Sequence, residues 1–308
     1  MYTIEKPSLL LVGSGVLQAF GGENWTDFLD SINTRKDELP KVDKIDCPSP
    51  LKAILVTGDH VDVAMKNKFA DPTEIKGMDQ SLVLVLQDIL SVGFDHILTT
   101  NYTYELETAA MHPKKLTKYK LSKMQKSTMD RAEPKYLLHT YMDLPFSDKQ
   151  NKLWHIHGEA RKPESVVLGH YYYGNLLYKI KKEVEKIDRC RWGEENNTSA
   201  SWVDAFLFGD IYCLGFGFGL CEFDLWWLLN RKAREKGNTG KMFFYDPMVP
   251  GDFDAKLDLL KLLKSTSGNP IVEHLSMGFE KDNMQDGDYK KFYLAAIEDI
   301  KEKILKER

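Results

Sequence analysis

The chain has 308 residues, 43% of them hydrophobic and 29% charged, with a formal net charge of -4. These values are typical of a soluble globular protein and argue against one that wraps duplex nucleic acid, and no apolar stretch approaches the ~20 residues that a membrane-spanning helix needs. The four scattered cysteines form neither a CxxC pair nor a disulfide framework, and the first residues lack a secretory signal, so we expect a cytoplasmic protein without direct nucleic-acid or membrane binding.

The first half of the chain alternates short apolar runs with helical patterns. Strands are predicted at residues 8–12 and 96–100, where branched apolar residues follow one another. A polar cap at Asn24 predicts a helix start, and the charged stretch 35–50, with its three prolines, predicts a surface connection. Helical spacing of apolar residues predicts three further helices, at residues 51–67, 78–92 and 103–111.

The second half returns to the same alternation after a polar, lysine-rich excursion over residues 112–130. The strands predicted here are at residues 136–141, 153–157, 211–215 and 242–245. The helices predicted here are at 170–187, at 199–208, from Leu225 onward, and along an apolar stripe from Tyr289 to Ile304. The helix through Leu225 becomes charged by Arg231, so we expect its start to be buried and its end to be exposed.

Strands that alternate with helices predict an α/β fold: a Rossmann-like, mostly parallel sheet with helices on both faces. The chain shows no internal repeat and no low-complexity segment. We predict a single domain over residues 1–308 with a smaller, mainly helical insertion. Residues 112–200 are the candidate for a small subdomain or lid within it.

Four of the predicted strands end in a glycine or beside a polar side chain that can do chemistry. The residues at these ends are Gly13, Asn101, His157 with Gly158, and Gly215. In open α/β sheets, ligands bind beyond the carboxyl ends of the strands, so these ends predict one shared site. The alternative is four unrelated turns, because glycine also ends strands for purely steric reasons.

The two glycine-rich turns are candidates for contact with a nucleotide. Gly13-Ser14-Gly15, between a strand and a helix, can present backbone N–H groups to a phosphate. It is an incomplete dinucleotide fingerprint, because Gln18 stands where a third glycine belongs, and a plain tight turn is the alternative. Gly215-Phe216-Gly217 carries little side-chain bulk and suits a backbone that passes under a ribose or phosphate.

His155 and His157 lie two residues apart, so on a strand they share one face. A metal site is disfavoured, because no third and fourth ligand is evident nearby. A general base is favoured instead, since the ordinary pKa of histidine, about 6.5, suits proton transfer near neutrality. We assign that role to His157, beside which Gly158 leaves room for a ligand, and we interpret His155 as a packing or supporting residue.

Two other polar residues have both a functional and a local interpretation. The carboxamide of Asn101 can orient a water molecule or bind a ribose hydroxyl, but asparagine also caps helices and forms Asx turns. Asp224 either contacts the ligand or caps the helix that follows it.

In chain order, these segments resemble the NAD-binding core of the sirtuin-like family, in particular its bacterial antiphage-defence branch. The resemblance covers roughly residues 8–230. The segments that carry it are Val12-Gly13-Ser14-Gly15, Trp25-Thr26-Asp27-Phe28-Leu29, Thr99-Thr100-Asn101-Tyr102, Ile156-His157-Gly158 with Val166-Val167-Leu168, and Gly215-Phe216-Gly217 running to Asp224-Leu225-Trp226.

The resemblance implies an NAD+ glycohydrolase that uses NAD as its substrate and no metal. Asn101 and His157 match the catalytic pair of the family. The first glycine turn matches the segment that binds the NAD phosphates, and the late glycine turn matches the segment along the ribose and adenine. The residues implied to bind NAD are Gly13, Ser14, Gly15, Thr100, Tyr102, Gly215, Phe216, Gly217 and Asp224.

Two departures from the family pattern bear on function. Many relatives carry an aspartate where this chain has Thr103, which puts one ribose contact in doubt. The chain also lacks the paired cysteines of the zinc module in deacetylase sirtuins, which disfavours a protein deacylase and favours defence-type hydrolases that deplete NAD. That branch implies a homo-oligomer and activation by a phage component or a partner protein.

Three alternatives stay open at this level. The same pocket could serve an NAD-dependent ADP-ribosyltransferase or deacylase. It could also belong to a regulatory module that binds NAD or ADP-ribose without consuming it, an alternative that Thr103 keeps open. If the enzyme is a hydrolase, the product is either ADP-ribose or its cyclic form.

Overall fold

The computed structural model describes residues 6–58, 60–69, 75–76, 79–111, 118–119, 138–144, 151–160, 162–191, 201–236, 239–251, 254–285 and 287–307. The main sheet contains the strands β1 (Ser8–Val12), β3 (His96–Thr99), β5 (Met142–Leu144), β6 (Asn151–His155), β7 (Asp210–Leu214), β8 (Met242–Tyr245) and β9 (Val272–Leu275). Two short strands, β2 (Ile75–Lys76) and β4 (Lys118–Tyr119), pair separately in antiparallel fashion.

The strands of the main sheet lie in the order β5-β6-β3-β1-β7-β8-β9, and every neighbouring pair is parallel except β5 with β6. The predicted α/β fold with a mostly parallel sheet is therefore confirmed. After β1, the chain adds β3, β5 and β6 on one side of β1. It then crosses back and adds β7, β8 and β9 on the other side, so the strand order reverses beside β1. Such a switch point is where open α/β sheets bind ligands.

Helices cover both faces of the sheet. They are α1 (Ser14–Ala19), α2 (Trp25–Ser31), α3 (Ser49–Thr57), α4 (Val61–Lys68), α5 (Gln80–Ser91), α6 (Glu105–Met111), α7 (His170–Arg191), α8 (Trp202–Phe208), α9 (Phe223–Ala233), α10 (Ala255–Lys261) and α11 (Asp288–Glu307). One face packs against α1, α5, α6 and α11 and the other against α7 to α10. Successive strand residues such as Leu9 and Leu10 enter opposite cores, which explains why the strands are continuous apolar runs.

A third, smaller core joins α2, α3 and α4 above the end of the sheet. Phe28, Ala53 and Met65 are buried together there, and Val166 and Leu168 connect this core to the region that follows β6. The helical part next to the sheet end thus comes from a segment early in the chain. The stretch 35–50 is mostly exposed, as predicted for a surface connection, but Val42 and Ile45 are buried in this core.

Several predicted boundaries shift. The helix predicted over 51–67 is two helices, because Gly58 adopts a left-handed φ of 60° and ends α3. The strand predicted at 136–141 is displaced to Met142–Leu144, at the antiparallel edge of the sheet. The run 153–157 stops being a strand at His155, so His157 is not on the same strand face as His155. Strand β9 and helix α10 were not predicted.

The charged end of α9 is only partly exposed: Arg234 and Lys236 are exposed as expected, whereas Lys232 is buried. Lys232 has no exposed surface, and its Nζ donates to the backbone carbonyls of Phe206, Leu207 and Gly209 at the end of α8. These carbonyls lack partners inside their own helix, and a buried ammonium group with three donors satisfies them. Periodicity identifies α9 as amphipathic but cannot identify this partner.

The predicted subdomain over 112–200 stays a prediction. Its described strands β5 and β6 belong to the main sheet, and α7 packs on the same core as α8 and α9. The lysine-rich stretch 112–130 and the polar stretch 193–197 fall almost wholly outside the described residues. Among the residues that are described, no helix has the length and apolar character required to span a lipid bilayer.

Candidate active site

The carboxyl ends of four neighbouring strands lie level with one another. Val12 pairs with Thr99 on one side and with Leu214 on the other, and Thr99 pairs in turn with His155. Because these strands are parallel and in register, the residues that follow them emerge at the same edge. The sequence prediction that the four strand ends lie together is confirmed.

A cavity of about 1320 Å³ opens at this edge. Its sheet side includes most of the predicted site residues, namely Ser14, Thr100, Asn101, Tyr102, His157, Gly215, Phe216 and Gly217. Its opposite side comes from the helical layer and includes Trp25, Phe28, Lys68 and Phe69. A cavity of this size, lined by both apolar and polar side chains, suits a dinucleotide-sized ligand.

His157 is buried just beyond β6, and a second buried side chain orients its ring. Its Nε2 lies 2.9 Å from Oδ2 of Asp224, in the first turn of α9. A carboxylate only accepts hydrogen bonds, so Nε2 carries the proton and Nδ1 is the basic nitrogen of the neutral ring. The nearest carboxylate oxygen to Nδ1, on Glu222, is 3.9 Å away, too far for a hydrogen bond. His157 thus keeps one ring nitrogen available for chemistry.

The charges around His157 favour its protonated form. Burial by itself lowers the pKa of His157, but the charge and hydrogen bond of Asp224, with Glu222 nearby, raise it above its ordinary value. Burial raises the pKa of Glu222, Asp224 raises it further, and His157 partly opposes both effects. Tyr173 donates to Glu222 at 3.0 Å and packs edge-on against the His157 ring.

Asn101 lies between β3 and α6 with its backbone fixed and its carboxamide free. Its N–H donates to Oγ1 of Thr99, and its carbonyl lies 2.8 Å from Nδ1 of His155. Within the described part of the chain, the Asn101 carboxamide makes no hydrogen bond. The side chain therefore neither caps a helix nor forms an Asx turn, and its donors and acceptor face no competing partner in the cavity wall.

The glycines of the two turns are required mainly for contact with each other. A Cβ on Gly13 would come within 2.6 Å of the Gly215 carbonyl oxygen, and one on Gly15 within 2.7 Å of the same atom. The N–H groups of Gly13 and Gly15 already donate to the carbonyls of Leu214 and Gly215. Of the Gly13-Ser14-Gly15 turn only Ser14 lines the cavity, and the N–H groups of the two glycines are already used, so phosphate binding by this turn stays a prediction that depends on Ser14.

Two further expectations need correction. Asp224 does not line the cavity and does not cap α9; it is fully buried behind His157. Gly158 leaves no room for a ligand, because a Cβ there would lie 2.3 Å from the carbonyl oxygen of Ser165. Its left-handed φ of 89° allows the chain to turn immediately after His157.

Sequence reasoning missed several residues of this site. Glu222, Tyr173 and Glu105 line the cavity, together with the stacked pair Trp25 and Phe28. Glu105 is the first residue of α6, and its carboxylate accepts from Thr103 at 2.6 Å. The structure separates the tyrosine run 171–173 into Tyr171, which is exposed, and Tyr173, which lies in the cavity wall.

One group of side chains has the spacing of a cation site. His157, Glu222 and Asp224 each offer one ligand atom, all within 4.8 Å of one another. A cation bound there would have to replace the hydrogen bond between His157 and Asp224. The same contacts suit proton transfer without that rearrangement.

Comparison with known proteins gives one family match. The family model described as a SIR2-like domain matches residues 95–264, more than half of the chain. This range contains Asn101, His157, the Gly215 turn and Asp224, but not the first glycine turn. A search of curated proteins found no significant match.

Proposed function

The chain belongs to the SIR2-like family, whose members use NAD, and from this premise we propose that it is an NAD+ glycohydrolase. In this proposal the enzyme breaks the bond between nicotinamide and ribose. The products are nicotinamide and ADP-ribose, or its cyclic form. NAD is the substrate, and the reaction proceeds without a metal.

One observation carries the proposal: Asn101 and His157, far apart in the chain, line a single cavity. The carboxamide of Asn101 has no hydrogen-bond partner among the residues described, and the Nδ1 of His157 has no partner within hydrogen-bonding distance. Hydrogen bonds outside the cavity fix both groups: the Asn101 backbone carbonyl bonds to His155, and the His157 ring bonds to Asp224. Fixed groups with free polar atoms at a cavity wall are the arrangement that catalysis requires.

The proposed chemistry follows from the bond that breaks. Its electron pair leaves with the nicotinamide ring nitrogen, which loses its positive charge, and the ribose carbon gains oxocarbenium character. A water molecule oriented by Asn101 attacks that carbon, and Nδ1 of His157 accepts the proton released. Glu222 and Glu105 place carboxyl oxygens in the cavity wall, and such oxygens stabilise the positive charge that develops on the ribose.

Glu105 offers a carboxylate close to Thr103, the position at which many relatives carry an aspartate. Its side chain lines the cavity, and the Thr103 hydroxyl orients it through a 2.6 Å hydrogen bond. Carboxylates bind ribose hydroxyls in dinucleotide sites. We assign Glu105 this role, which weakens the case for a module that binds NAD without consuming it.

The binding assignments extend the proposal. Ser14 and the segment Gly215-Phe216-Gly217 contact the phosphates and the adjacent ribose, and Thr100 and Tyr102 complete the wall beside Asn101. Gly13 and Gly15 support this surface from behind.

Incubation of purified protein with NAD, followed by chromatography of the products, tests the proposal. Nicotinamide should appear in equal amount to ADP-ribose or its cyclic form, and Asn101→Ala and His157→Ala should abolish its release. Asn230→Ala and His139→Ala are matched controls, because Asn230 bonds within α9 and His139 pairs with Glu183 away from the cavity. Release that requires an added acceptor would favour a transferase, and NAD binding without turnover would favour a regulatory module.

The biological role proposed is antiphage defence by depletion of NAD. It implies a homo-oligomer that is activated by a phage component or a partner protein. In infected cells, NAD should fall when the wild-type chain is expressed and stay constant with His157→Ala. The mass of the purified protein in solution tests the oligomer directly.

A further inference from the structure

Several hydrogen bonds join the segment that carries His157 to the segment that carries Asn101. His155 Nδ1 lies 2.8 Å from the Asn101 carbonyl oxygen. The N–H of Ala160 donates to the Tyr102 carbonyl at 2.8 Å. Tyr104 donates to Glu159 at 3.2 Å. Only the first of these contacts fixes Asn101 itself.

Both ring nitrogens of His155 are engaged with the protein. The carbonyl opposite Nδ1 can only accept, so Nδ1 carries a proton. Nε2 lies 2.7 Å from Oε1 of Glu107, a fully buried residue of α6. An imidazolium that donates to a carboxylate forms a short, charge-assisted hydrogen bond of this length. His155 therefore connects α6 to the Asn101 backbone across the end of β6.

The surroundings of His155 are strongly acidic. Glu107 and Glu105 belong to α6, Glu159 follows β6, and the Tyr104 ring packs edge-on against the imidazole. Burial by itself lowers the pKa of His155, but Glu107, Glu159 and the Asn101 carbonyl raise it to about 9. The protonated ring is therefore the resident form near neutral pH, and both its N–H groups are donors.

We infer that the His155–Glu107 pair is the positioning device for Asn101, fixing the backbone from which the catalytic carboxamide projects. Neither member of the pair lines the cavity, so each acts only through Asn101. The inference rests on the proposed function, because it takes the Asn101 carboxamide as the group that orders the attacking water. A misplacement of about 1 Å at a reacting group can cost roughly 100-fold in rate.

Three variants separate this role from simple packing. His155→Phe fills a similar volume without donors and should lower kcat by roughly 100-fold while the KM for NAD stays within about threefold. His155→Asn places an amide donor where Nδ1 was and should restore most of the lost kcat. Glu107→Gln keeps a partner for a neutral ring that still donates from Nδ1, and it should also retain most of the activity.

Assays are carried out below the measured melting temperature of each variant, with His139→Phe as the control, since it breaks a His–Glu pair outside the cavity. Equal loss of kcat in the Phe and Asn variants, or unchanged kcat in the Phe variant, would overturn the inference.

Amide hydrogen exchange gives a second readout that needs no activity. Exchange at residues 101–103 should become faster in His155→Phe and stay near the wild-type rate in His155→Asn. If the wild-type protein releases no nicotinamide, the proposed hydrolase fails, yet the exchange rates still decide whether His155 fixes this segment. Unchanged exchange in His155→Phe would refute the positioning role whatever the activity.

Discussion

Two histidine–carboxylate pairs lie side by side at the edge of the sheet, and they differ in what they leave free. His155 uses both ring nitrogens on the protein, one on Glu107 and one on the Asn101 carbonyl. His157 uses only Nε2, on Asp224, and among the described residues none lies within hydrogen-bonding distance of its Nδ1. Burial and charge are similar in the two pairs, so the unused nitrogen at the cavity wall is what distinguishes the proposed proton acceptor, His157, from the proposed support, His155.

The largest expected difference between the pairs is in catalysis. His157→Ala removes the proposed general base and should lower nicotinamide release by roughly 10²- to 10⁴-fold. His155→Asn keeps a donor to Asn101 and should cost only a few-fold. Product chromatography at fixed NAD measures both. Equal losses in the two variants would remove the distinction drawn here.

The partner of His157 should control the pH dependence of the reaction. A base must be unprotonated to accept a proton, so activity should rise with pH through the pKa of His157, which Asp224 and Glu222 hold above the ordinary value. Asp224→Asn removes a charge that favours the protonated ring, so this rise should move to lower pH while the maximal rate falls roughly 100-fold. Profiles of kcat/KM between pH 5 and 9 test this, with Asp204→Asn, in the first turn of α8, as control. A rise that stays in place would contradict the assignment of His157 as the base.

The His155–Glu107 pair should affect the stability of the fold and its dependence on pH. The pKa of His155 is raised from 6.5 to about 9 on folding, so the contribution of His155 to stability is fully present below about pH 6.5 and is lost as pH rises through 9. His155→Ala leaves Glu107 buried without its partner and should lower the free energy of unfolding by about 3–5 kcal/mol at neutral pH. Urea denaturation at pH 6 and pH 9.5 measures both effects.

The difference between wild type and variant in that experiment isolates His155, because Glu105 and Glu159 also have raised pKa values and change stability in the same direction. A difference that does not shrink between pH 6 and pH 9.5 would exclude the charged pair.

The smallest expected effect is that of the Thr103–Glu105 hydrogen bond, outside both pairs. Thr103→Val keeps the shape and removes one hydrogen bond, worth about 1 kcal/mol, so the KM for NAD should rise about fivefold with little change in kcat. Thr108→Val is the control, since its hydroxyl bonds only the Tyr104 carbonyl in the buried part of α6. A change in kcat without a change in KM would argue against a ribose contact by Glu105.

The sequence by itself determined the fold class and the edge of the sheet at which Asn101 and His157 both line one cavity. Short runs of branched apolar residues that stop at a glycine or a polar residue favour strands buried on both faces, and parallel strands present their carboxyl ends at one edge. Whatever follows each run must therefore meet the others. Both the first strand and the strand at Met242–Tyr245 were predicted with the bounds observed.

Only the tertiary structure decided which distant residues contact the two histidines, the glycine turns and Lys232. Asp224 is 67 residues from His157 and Glu107 is 48 from His155, and no local pattern relates them. The same holds for Gly13 against Gly215 and for Lys232 against the end of α8. Periodicity records which face of an element is apolar, because burial is repeated at every turn or every second residue. A single polar contact between distant elements occurs once, leaves no period in the sequence, and is fixed only when the chain has packed.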